Sequence, residues 1–295
     1  RVMHIDKCGL QNDRMTEILN FSQDYFRESG LPVFNLRTHQ GDLRFLVLRK
    51  SFAHNNYMVN VVTFKSYQKE LTEYTSQLKS RFSDIVSIIN TVNPRLAQIA
   101  FGEEEYLLSG TSTLTEILGG FQFSISANSF FQTNPLQAEN LYKTVVDYCD
   151  TGNEVIWDLY SGTGTIAMFL SSAADKVVGF ELIDSAVEDA RRNSGINNIK
   201  NCEYVAGDLR TNLTSRYDKP EVIVCDPPRA GMHEDVVAAI LMKRPAKIIY
   251  VSCNPATMAR DIKPMLSFYK IAEVQPVDMF PHTWHIETVV RLEPK

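Results

Sequence analysis

A cysteine at the end of one apolar run is the residue in this sequence with the most evident chemical potential. Residues 248–251 are branched or aromatic, and Ser252, Cys253, Asn254 and Pro255 follow them. Such a run before a turn predicts a buried strand. In an open parallel sheet, ligands bind outside the carboxyl ends of the strands, so Cys253 is a candidate nucleophile. A lone cysteine is more often a buried small hydrophobe, so this assignment depends on its partners.

Carboxylates end three other apolar runs, at Asp158, Glu181 and Asp208. The first is followed by a turn with Gly162 and Gly164, which lets the backbone bend sharply and approach a ligand. The turn lacks the lysine of a P-loop and the third glycine of a dinucleotide-binding turn. Acids at neighbouring strand ends can accept hydrogen bonds from ribose hydroxyls. Together the three acids could surround a nucleoside-like cofactor with a positive centre, which favours S-adenosylmethionine (SAM).

Two more segments carry charged groups at the ends of apolar runs. Two prolines separate Asp226 from Arg229, and they should hold both residues rigidly at the rim of the sheet. Glu287 begins the last apolar run. Taken alone, it is more often an ordinary surface acid, but near a cysteine it could act as a general base.

The elements that must position these residues alternate regularly after residue 124. Alternation of this kind predicts a doubly wound, mostly parallel sheet, which is an α/β fold. The last two runs, 270–277 and 285–292, have no helix between them and should form an antiparallel pair at one edge. The predicted strands are 154–160, 176–181, 202–207, 221–226 and 247–253, and the predicted helices are 165–173, 184–195, 233–243 and 256–267.

The first 123 residues show a different pattern. A helix is predicted over 13–29, and short strands with a helix over 67–81 follow it, which indicates a small α/β or α+β domain. We therefore divide the chain into an N-terminal segment and helix (1–30), a small domain (31–123) and a larger domain (124–295).

The small domain contains a basic stretch that could contact RNA. It has five basic residues against the single acid Asp42, with Phe45, Phe52 and Tyr57 between them. Positive groups beside stackable rings are what single-stranded or looped RNA requires. An ordinary solvated sheet face explains the stretch equally well. The basic residues are Arg37, Arg44, Arg49, Lys50 and Lys65.

Composition limits the class of protein. The 295 residues carry a formal net charge of −5, so any nucleic-acid site should be local rather than spread over the surface. The sequence shows neither a long apolar span nor a secretory signal, and we expect a cytoplasmic protein. Five scattered cysteines argue against a disulfide framework and a zinc site. The chain begins with Arg1, and we expect further sequence upstream.

Five motifs in order resemble the SAM-dependent uracil-5 RNA methyltransferases of bacterial tRNA and 23S rRNA. The resemblance is specific over 124–295 and looser before it. It implies a Rossmann-like class I SAM methyltransferase domain with a terminal antiparallel strand. The motifs are residues 130–132, 158–164, 226–229, 252–255 and 285–287.

The resemblance also implies roles for individual residues. Cys253 would be the nucleophile, Glu287 the base, and Asp226 a further catalytic residue. Phe130 would stack on the target base. The chemistry of the reaction, rather than the resemblance, calls for a positive group near the developing negative oxygen, and Arg229 is the candidate. Relatives often carry Cys and Asn in the glycine-rich turn, where this chain has Ser161 and Thr165. The implied cofactor-binding residues are Gln132, Tyr160, Gly162, Thr165, Glu181, Asp208 and Asp226.

The implied chemistry explains why a thiol and a base are both needed. Addition of a thiolate to carbon 6 of uracil makes carbon 5 nucleophilic enough to attack a methyl sulfonium. A base then removes the proton from carbon 5. Because an unperturbed cysteine has a pKa of roughly 8.5, we expect local activation of Cys253. A duplex would hide the base edge, so the substrate should be a loop with a uridine that can be flipped out.

Other readings stay open at this point. An amino-methyltransferase for adenine or cytosine has a similar fourth-strand motif, but it usually places an aromatic residue where Arg229 stands. A noncatalytic RNA-binding protein would not need Cys253 together with Glu287. We expect 23S rRNA as the substrate, with tRNA uridine-54 as the alternative, and no obligate protein partner. Cys8 falls where some relatives place the last of four iron–sulfur ligands. Either the other three lie upstream of Arg1 or the protein has no cluster, and we expect none within the sequence given.

Overall fold

A computed structural model describes residues 6–213 and 219–295 of the chain. The chain forms two compact units. Unit 1 contains the residues up to Ile117 together with Ser124–Asn128, and unit 2 contains Leu118–Phe123 and the residues from Ser129 onward. The helix that we assigned to a separate N-terminal segment belongs to unit 1. The predicted boundary at residue 123 falls in the stretch where the chain passes between the units.

Unit 1 is a mixed α/β unit with a four-stranded sheet in the order β1-β2-β3-β4. Strands β2 and β3 are parallel, and the other two pairs are antiparallel. The strand β4 was not predicted, because it begins with two glutamates, a residue type that is depleted in strands. The elements are α1 (Asp13–Glu28), β1 (Leu43–Ser51), β2 (Asn56–Thr63), α2 (Leu71–Arg81), β3 (Ile85–Val92) and β4 (Glu104–Gly110).

The core of unit 1 lies between its two helices and the sheet. Helix α1 begins where the side chain of Asn12 accepts a hydrogen bond from the backbone N–H of Met15, as an N-cap should. Its buried residue Ile18 packs in one cluster with Leu71 and other apolar residues of α2 and β2. Burial of this apolar face, rather than helix propensity alone, stabilises α1 against the sheet.

The basic stretch of unit 1 is only partly available to a ligand. The guanidinium of Arg44 donates to the carbonyls of Asn93 and Ala97 at 2.7 and 2.8 Å. It therefore holds a loop in place. Burial lowers the pKa of Arg49. Arg37 is exposed, and the ammonium of Lys50 lies 4.7 Å from the ring centroid of Phe52, whose side chain is also exposed.

Unit 2 carries the second, larger sheet. Strands β5 (Thr113–Leu118) and β6 (Phe121–Ser126) precede it as a two-stranded sheet. The short helix α6 was not predicted. The remaining elements are α3 (Pro135–Cys149), β7 (Asn153–Leu159), α4 (Thr165–Leu170), β8 (Ala174–Glu181), α5 (Asp184–Ile196), β9 (Cys202–Ala206), α6 (Leu209–Asn212), β10 (Val222–Cys225), α7 (Glu234–Lys243), β11 (Lys247–Ser252), α8 (Pro255–Met265), β12 (Tyr269–Val277) and β13 (Glu287–Pro294).

The larger sheet has seven strands in the order β12-β13-β11-β10-β7-β8-β9. The five strands from β9 to β11 are parallel, while β13 is antiparallel to both β11 and β12. The predicted antiparallel pair at one edge is therefore confirmed. All four residues of β10 are buried, because helices cover both faces of a parallel sheet. The strand order reverses between β7 and β10, and ligands bind at such switch points.

The α/β fold class predicted from the sequence is confirmed by this architecture. The core of unit 2 includes the ring pair of Trp157 and Phe180, with centroids 5.1 Å apart. None of the helices in the described part of the chain is long and apolar enough to cross a membrane.

Candidate active site

The turn after β7 is a sharp bend that requires glycine. Gly162 and Gly164 have φ angles of 53° and 79°, and Tyr160 has a positive φ of 66°. A Cβ at Gly164 would lie 2.7 Å from the hydroxyl of Tyr204 and 2.9 Å from the Cβ of Ala190. Such approaches are too close for a side chain, so glycine at 164 allows the turn to pack against the neighbouring strand and helix.

Glu181 at the end of β8 holds this turn from the other side. One carboxylate oxygen accepts a hydrogen bond from the N–H of Gly162 at 3.0 Å, and the other accepts from Ile183 at 2.9 Å. A carboxylate oxygen has two lone pairs, so each oxygen keeps the capacity to accept one more donor. Two adjacent acceptors of this kind fit the paired hydroxyls of a ribose, which is the fit that SAM requires here.

Asp208 follows β9 at the same edge of the sheet. Its side chain caps α6 by accepting from the N–H of Arg210 at 2.9 Å, and it also pairs with the Arg210 guanidinium. The hydrogen bonds from Arg210 lower the pKa of Asp208 to about 2. The acid is therefore ionised, but a cofactor group would have to share it with Arg210.

Asp158 does not face the edge of the sheet as expected. Its side chain is 0% exposed, and in the described part of the chain neither carboxylate oxygen has a hydrogen bond of ordinary geometry. Burial raises its pKa well above the usual range, the charge of Asp226 raises it further, and the backbone of Ala167 opposes the shift. Asp158 is therefore enclosed within the unit, and its predicted place around a cofactor stays a prediction.

The other residues of the glycine-rich turn are also enclosed. Thr165 is 9% exposed, and its hydroxyl lies 3.3 Å from that of Thr163. The hydroxyl of Ser161 is buried and has no hydrogen-bond partner among the described residues. Thr165 therefore supports the turn from within, and the predicted contact of its side chain with a cofactor stays a prediction.

The loop after β10 is fixed by the N-terminal part of α8. The carbonyl of Arg229 accepts hydrogen bonds from the side-chain amide of Asn254 at 3.2 Å and from the hydroxyl of Thr257 at 3.3 Å. Asn254 also caps α8 by accepting from Ala256. The two motifs around Asp226 and Cys253, far apart in sequence, are thus tied together through backbone contacts.

Asp261 is a buried residue of this site that the sequence did not indicate. It is 4% exposed, and one of its oxygens accepts from the N–H of Met232 and the hydroxyl of Tyr250, both at 2.7 Å. Arg260 donates to the carbonyl of Ala230 at 2.9 Å. The sequence feature that could have indicated Asp261 is an aspartate on the apolar side of a predicted helix. These bonds hold the loop that carries Arg229.

Cys253 and Glu287 meet across the antiparallel pair of β11 and β13. Ser252 is paired with Thr288, so the next residue outward on each strand is Cys253 and Glu287. Glu287 is 8% exposed, and burial raises its pKa to about 6. The structure therefore unites a half-buried thiol with a buried acid.

The electrostatic environment of Cys253 differs from the expected one. Burial raises the pKa of the thiol, and the charges of Glu287 and Asp226 raise it further, while Arg229 lowers it. The pKa of Asp226 itself rises to about 7, chiefly through burial and then through Glu287. Burial first, and then the two carboxylates, oppose ionisation of the thiol more than Arg229 favours it, so the expected activation of Cys253 stays a prediction.

The segment before α3 brings two more of the predicted residues to unit 2. The side chain of Phe130 is 68% exposed. The neighbouring Phe131 is buried, and its ring centroid lies 5.4 Å from that of Phe123. Gln132 is half-buried, and burial raises the pKa of Tyr142 while the side chain of Gln132 opposes that shift. The charges of Asp226, Asp158 and Glu287 raise the pKa of Tyr142 further. Tyr142 and Gln132 therefore lie near these three acids.

The predicted site residues therefore fall into two neighbouring groups at one edge of one sheet. Asp226, Arg229, Cys253 and Glu287 form a reactive group, to which Gln132 is linked through Tyr142. The glycine-rich turn, Glu181 and Asp208 form a second group beside it. No group of three His, Cys, Asp or Glu side chains able to hold a metal occurs in residues 6–213 and 219–295.

This architecture, with the glycine turn after the first parallel strand and an antiparallel strand at one side, defines a Rossmann-like class I methyltransferase fold. The sequence model of the tRNA (Uracil-5-)-methyltransferase family matches residues 50–295. The chain belongs to this family of SAM-dependent methyltransferases.

Relatives agree with this assignment. A protein of Bacteroides thetaiotaomicron named an uncharacterized RNA methyltransferase is 42% identical over 301 residues, covering 99% of this chain and 66% of the relative. A protein of Chlorobaculum tepidum with the same description is 41% identical over 305 residues, covering 99% of this chain and 62% of the relative. The chain thus spans just under two thirds of the length of these relatives.

A solved structure is similar to this chain over almost its whole length. The tRNA (uracil-54, C5)-methyltransferase of Pyrococcus abyssi, in complex with S-adenosyl-L-homocysteine, is 34% identical, with a TM-score of 0.82. The match covers 99% of this chain and 69% of that protein. The predicted fold and family are therefore confirmed.

Proposed function

We propose that this protein transfers a methyl group from SAM to carbon 5 of a uridine in RNA. The observation that carries the proposal is the position of Cys253 opposite Glu287, beside Asp226 and Arg229. A thiol and a base at one site are what substitution at carbon 5 of uracil requires. Membership of the family supports the same reaction.

The residues around the glycine-rich turn would hold the cofactor. Glu181 would accept hydrogen bonds from the ribose hydroxyls, and the backbone at Gly162 would allow close approach. Tyr160, Thr165, Asp208 and Gln132 would complete the pocket, as the resemblance implies. When bound, SAM supplies an electrophilic methyl group on a positively charged sulfur. The acids of the site favour such a cation over a neutral ligand.

The thiol of Cys253 begins the reaction. Its proton passes to the carboxylate of Asp226, whose pKa of about 7 suits it to accept a proton near neutral pH. The thiolate sulfur bonds to carbon 6 of the uracil, and the electron pair of the 5,6 double bond moves toward the O4 oxygen to form an enolate. The positive charge of Arg229 stabilises this oxygen.

Carbon 5 would then take the methyl group from bound SAM, which would leave as the neutral thioether, and Glu287 completes the reaction. Its pKa of about 6 keeps most of the carboxylate ionised at neutral pH, so it can accept the proton from carbon 5. The electrons of the broken C–H bond re-form the double bond and expel the Cys253 thiolate. The thiolate then recovers a proton, and 5-methyluridine leaves.

The RNA would be recognised by residues of both units. Phe130, with its exposed ring, would stack on the target base. In unit 1, exposed Arg37 and the pair of Lys50 and Phe52 support RNA binding by the domain predicted over 31–123. From the sequence we keep 23S rRNA as the expected substrate. The similarity to the Pyrococcus abyssi enzyme favours tRNA as the second candidate.

RNA that contains 5-fluorouridine tests the mechanism, because fluorine blocks loss of the proton at carbon 5. In the presence of SAM, a covalent protein–RNA complex should survive denaturing gels. Cys253→Ala should abolish it, whereas Cys202→Ala, at another half-buried cysteine, should retain it. Equal adduct formation by Cys253→Ala would exclude the nucleophile assignment.

Two further measurements separate the remaining functions. Mass spectrometry of rRNA and tRNA from a deletion strain should show which 5-methyluridine is lost, and this identifies the RNA. Methyl transfer to total RNA, together with a SAM titration, separates an enzyme from a noncatalytic RNA-binding protein. Transfer to an exocyclic amino group instead would support the amino-methyltransferase alternative.

A further inference from the structure

Trp284 is a large aromatic residue that the proposed reaction does not use. Its side chain is 79% exposed, more than the other exposed large hydrophobic residues of the described chain. It lies in the segment between β12 and β13, and its ring stacks on that of His285 with centroids 4.1 Å apart. A single exposed apolar residue needs no explanation by itself, so its neighbours decide the question.

The first neighbour is a cation that is held in place. The guanidinium carbon of Arg229 lies 5.3 Å from the centre of the Trp284 ring. Hydrogen bonds from Asn254 and Thr257 fix the backbone of Arg229, as described above. Within residues 6–213 and 219–295, Arg229 forms no ion pair. An unpaired guanidinium beside an open indole suits a ligand that combines an anionic group with a flat ring.

The second neighbour is the reactive group itself. Trp284 precedes Glu287 by three residues, and the charge of Arg229 acts on the thiol of Cys253. The aromatic residue and its cation therefore flank the nucleophile and the base within unit 2. If an RNA binds with its target base at Cys253, the adjoining nucleotide should lie against Trp284 and Arg229.

Flipping one uridine out of a loop removes the stacking partners of its neighbours. An exposed aromatic face can restore stacking with any of the four bases. We propose that Trp284, which lies beside the guanidinium that acts on the target base, stacks on a base next to the target uridine. This inference rests on the proposed function, and it adds a substrate-positioning residue that the family motifs did not predict.

Tryptophan fluorescence can test the contact directly. The chain has only two tryptophans, and Trp157 is fully buried, so iodide should quench the emission of Trp284 selectively. The probe is a synthetic RNA stem–loop that carries the mapped uridine as 5-fluorouridine, trapped covalently with SAM. The trapped RNA should protect Trp284 from iodide. Trp284→Phe should form the adduct and lose the iodide-sensitive emission.

The outcomes separate this inference from the proposed function. If no adduct forms and no 5-methyluridine is made, the proposed function fails, and this inference falls with it. If the adduct forms but iodide still quenches Trp284 as in the free protein, only the stacking inference fails. A protein partner at Trp284 would give that second result.

Steady-state kinetics give an independent test. Trp284→Ala should raise KM for the stem–loop about tenfold, because stacking on one base contributes on the order of 1–3 kcal/mol, while kcat and SAM affinity stay unchanged. Trp284→Phe should recover most of the affinity. The control is Phe268→Ala, another exposed aromatic residue (57%), which lies just before β12 at the end of the strand away from Glu287.

An abasic nucleotide identifies the stacked base. Replacing the neighbour on the 5′ or the 3′ side of the target with an abasic site should weaken binding to the wild type at one of these positions. The same replacement should have little further effect on Trp284→Ala, because its partner is already missing. Equal KM values for wild type and Trp284→Ala would overturn the inference.

Discussion

Glu287 faces Cys253 across the β11–β13 pair, and its negative charge helps to keep the thiol protonated. The base and the nucleophile therefore oppose each other electrostatically before RNA binds. Such a thiol is protected from unwanted alkylation or oxidation, because only the thiolate reacts quickly. The reactivity of Cys253 should therefore change when Glu287, Asp226 or Arg229 is substituted, because the charges of all three act on the thiol.

Glu287→Gln should lower the pKa of the Cys253 thiol, because it removes a negative charge that raises this pKa. At pH 7, alkylation of Cys253 by iodoacetamide should become about three- to tenfold faster, since one pKa unit corresponds to a tenfold change in thiolate. Peptide mass spectrometry can follow this cysteine separately. Glu293→Gln, at the other end of β13, should leave the rate unchanged. A slower reaction in Glu287→Gln would contradict the prediction.

Arg229→Gln should have the opposite effect on the thiol. The guanidinium lowers the pKa of Cys253, so its removal should raise that pKa and slow alkylation at neutral pH. Arg229→Lys keeps the positive charge and should restore much of the rate. If Arg229→Gln and Arg229→Lys behave alike, the charge of Arg229 does not act on Cys253.

The rate of adduct formation should depend on the protonation state of Asp226. Because the carboxylate must be ionised to accept the thiol proton, the rate with 5-fluorouridine RNA should rise with pH through about 7. Asp226→Asn removes the acceptor, and the rise should then occur at higher pH, where the thiol ionises by itself. Rapid-quench gels between pH 5 and 9 give both profiles. An unshifted profile in Asp226→Asn would assign the proton to another acceptor.

Asp158→Asn should stabilise the protein above pH 4. The folded pKa of Asp158 is raised, so its stabilising contribution is full below the unfolded value of roughly 3.9 and is lost as the pH rises through the folded pKa. Asparagine does not titrate. The Tm of the variant minus that of the wild type should therefore grow from pH 4 to pH 8. Asp175→Asn, at an exposed acid of β8, is the control, and a constant difference for Asp158→Asn would contradict the prediction.

Gly231→Ala should displace the loop that carries Arg229. Gly231 has a φ of 79°, and a Cβ there would lie 2.5 Å from a carboxylate oxygen of Asp261 and 2.4 Å from the Arg260 guanidinium. We expect methyl transfer to fall by at least about tenfold, since small misplacements at a reacting centre are costly. SAM binding should persist, because the glycine-rich turn is unaffected.

Gly195→Ala provides the matched control for this substitution. Gly195 lies in α5, and nothing occupies the space within 4 Å of its Cβ position. The substitution should leave activity unchanged and raise the Tm slightly, because alanine is the better helix former. A similar loss of activity in both variants would mean that the Gly231 effect is not local.

Short-range patterns in the sequence determined most of the larger unit. Strands β7 to β11 lie within one or two residues of their predicted positions, because each is a buried apolar run bounded by turns. The same patterns placed Glu181 at the end of a strand, and Asp208, Asp226 and Cys253 just after strand ends. A parallel sheet brings the carboxyl ends of its strands to one edge, so order along the chain predicted nearness in space.

Only the tertiary structure decided the state of each group. Asp158 is fully buried, and Arg44, expected in a basic stretch, instead donates to loop carbonyls. The pKa of Glu287 depends on burial, and that of Cys253 depends on burial and on charges from distant parts of the chain. Sequence periodicity reports which face of an element is apolar. It does not report which long-range neighbours desolvate or pair a given side chain, and those neighbours decide its chemistry.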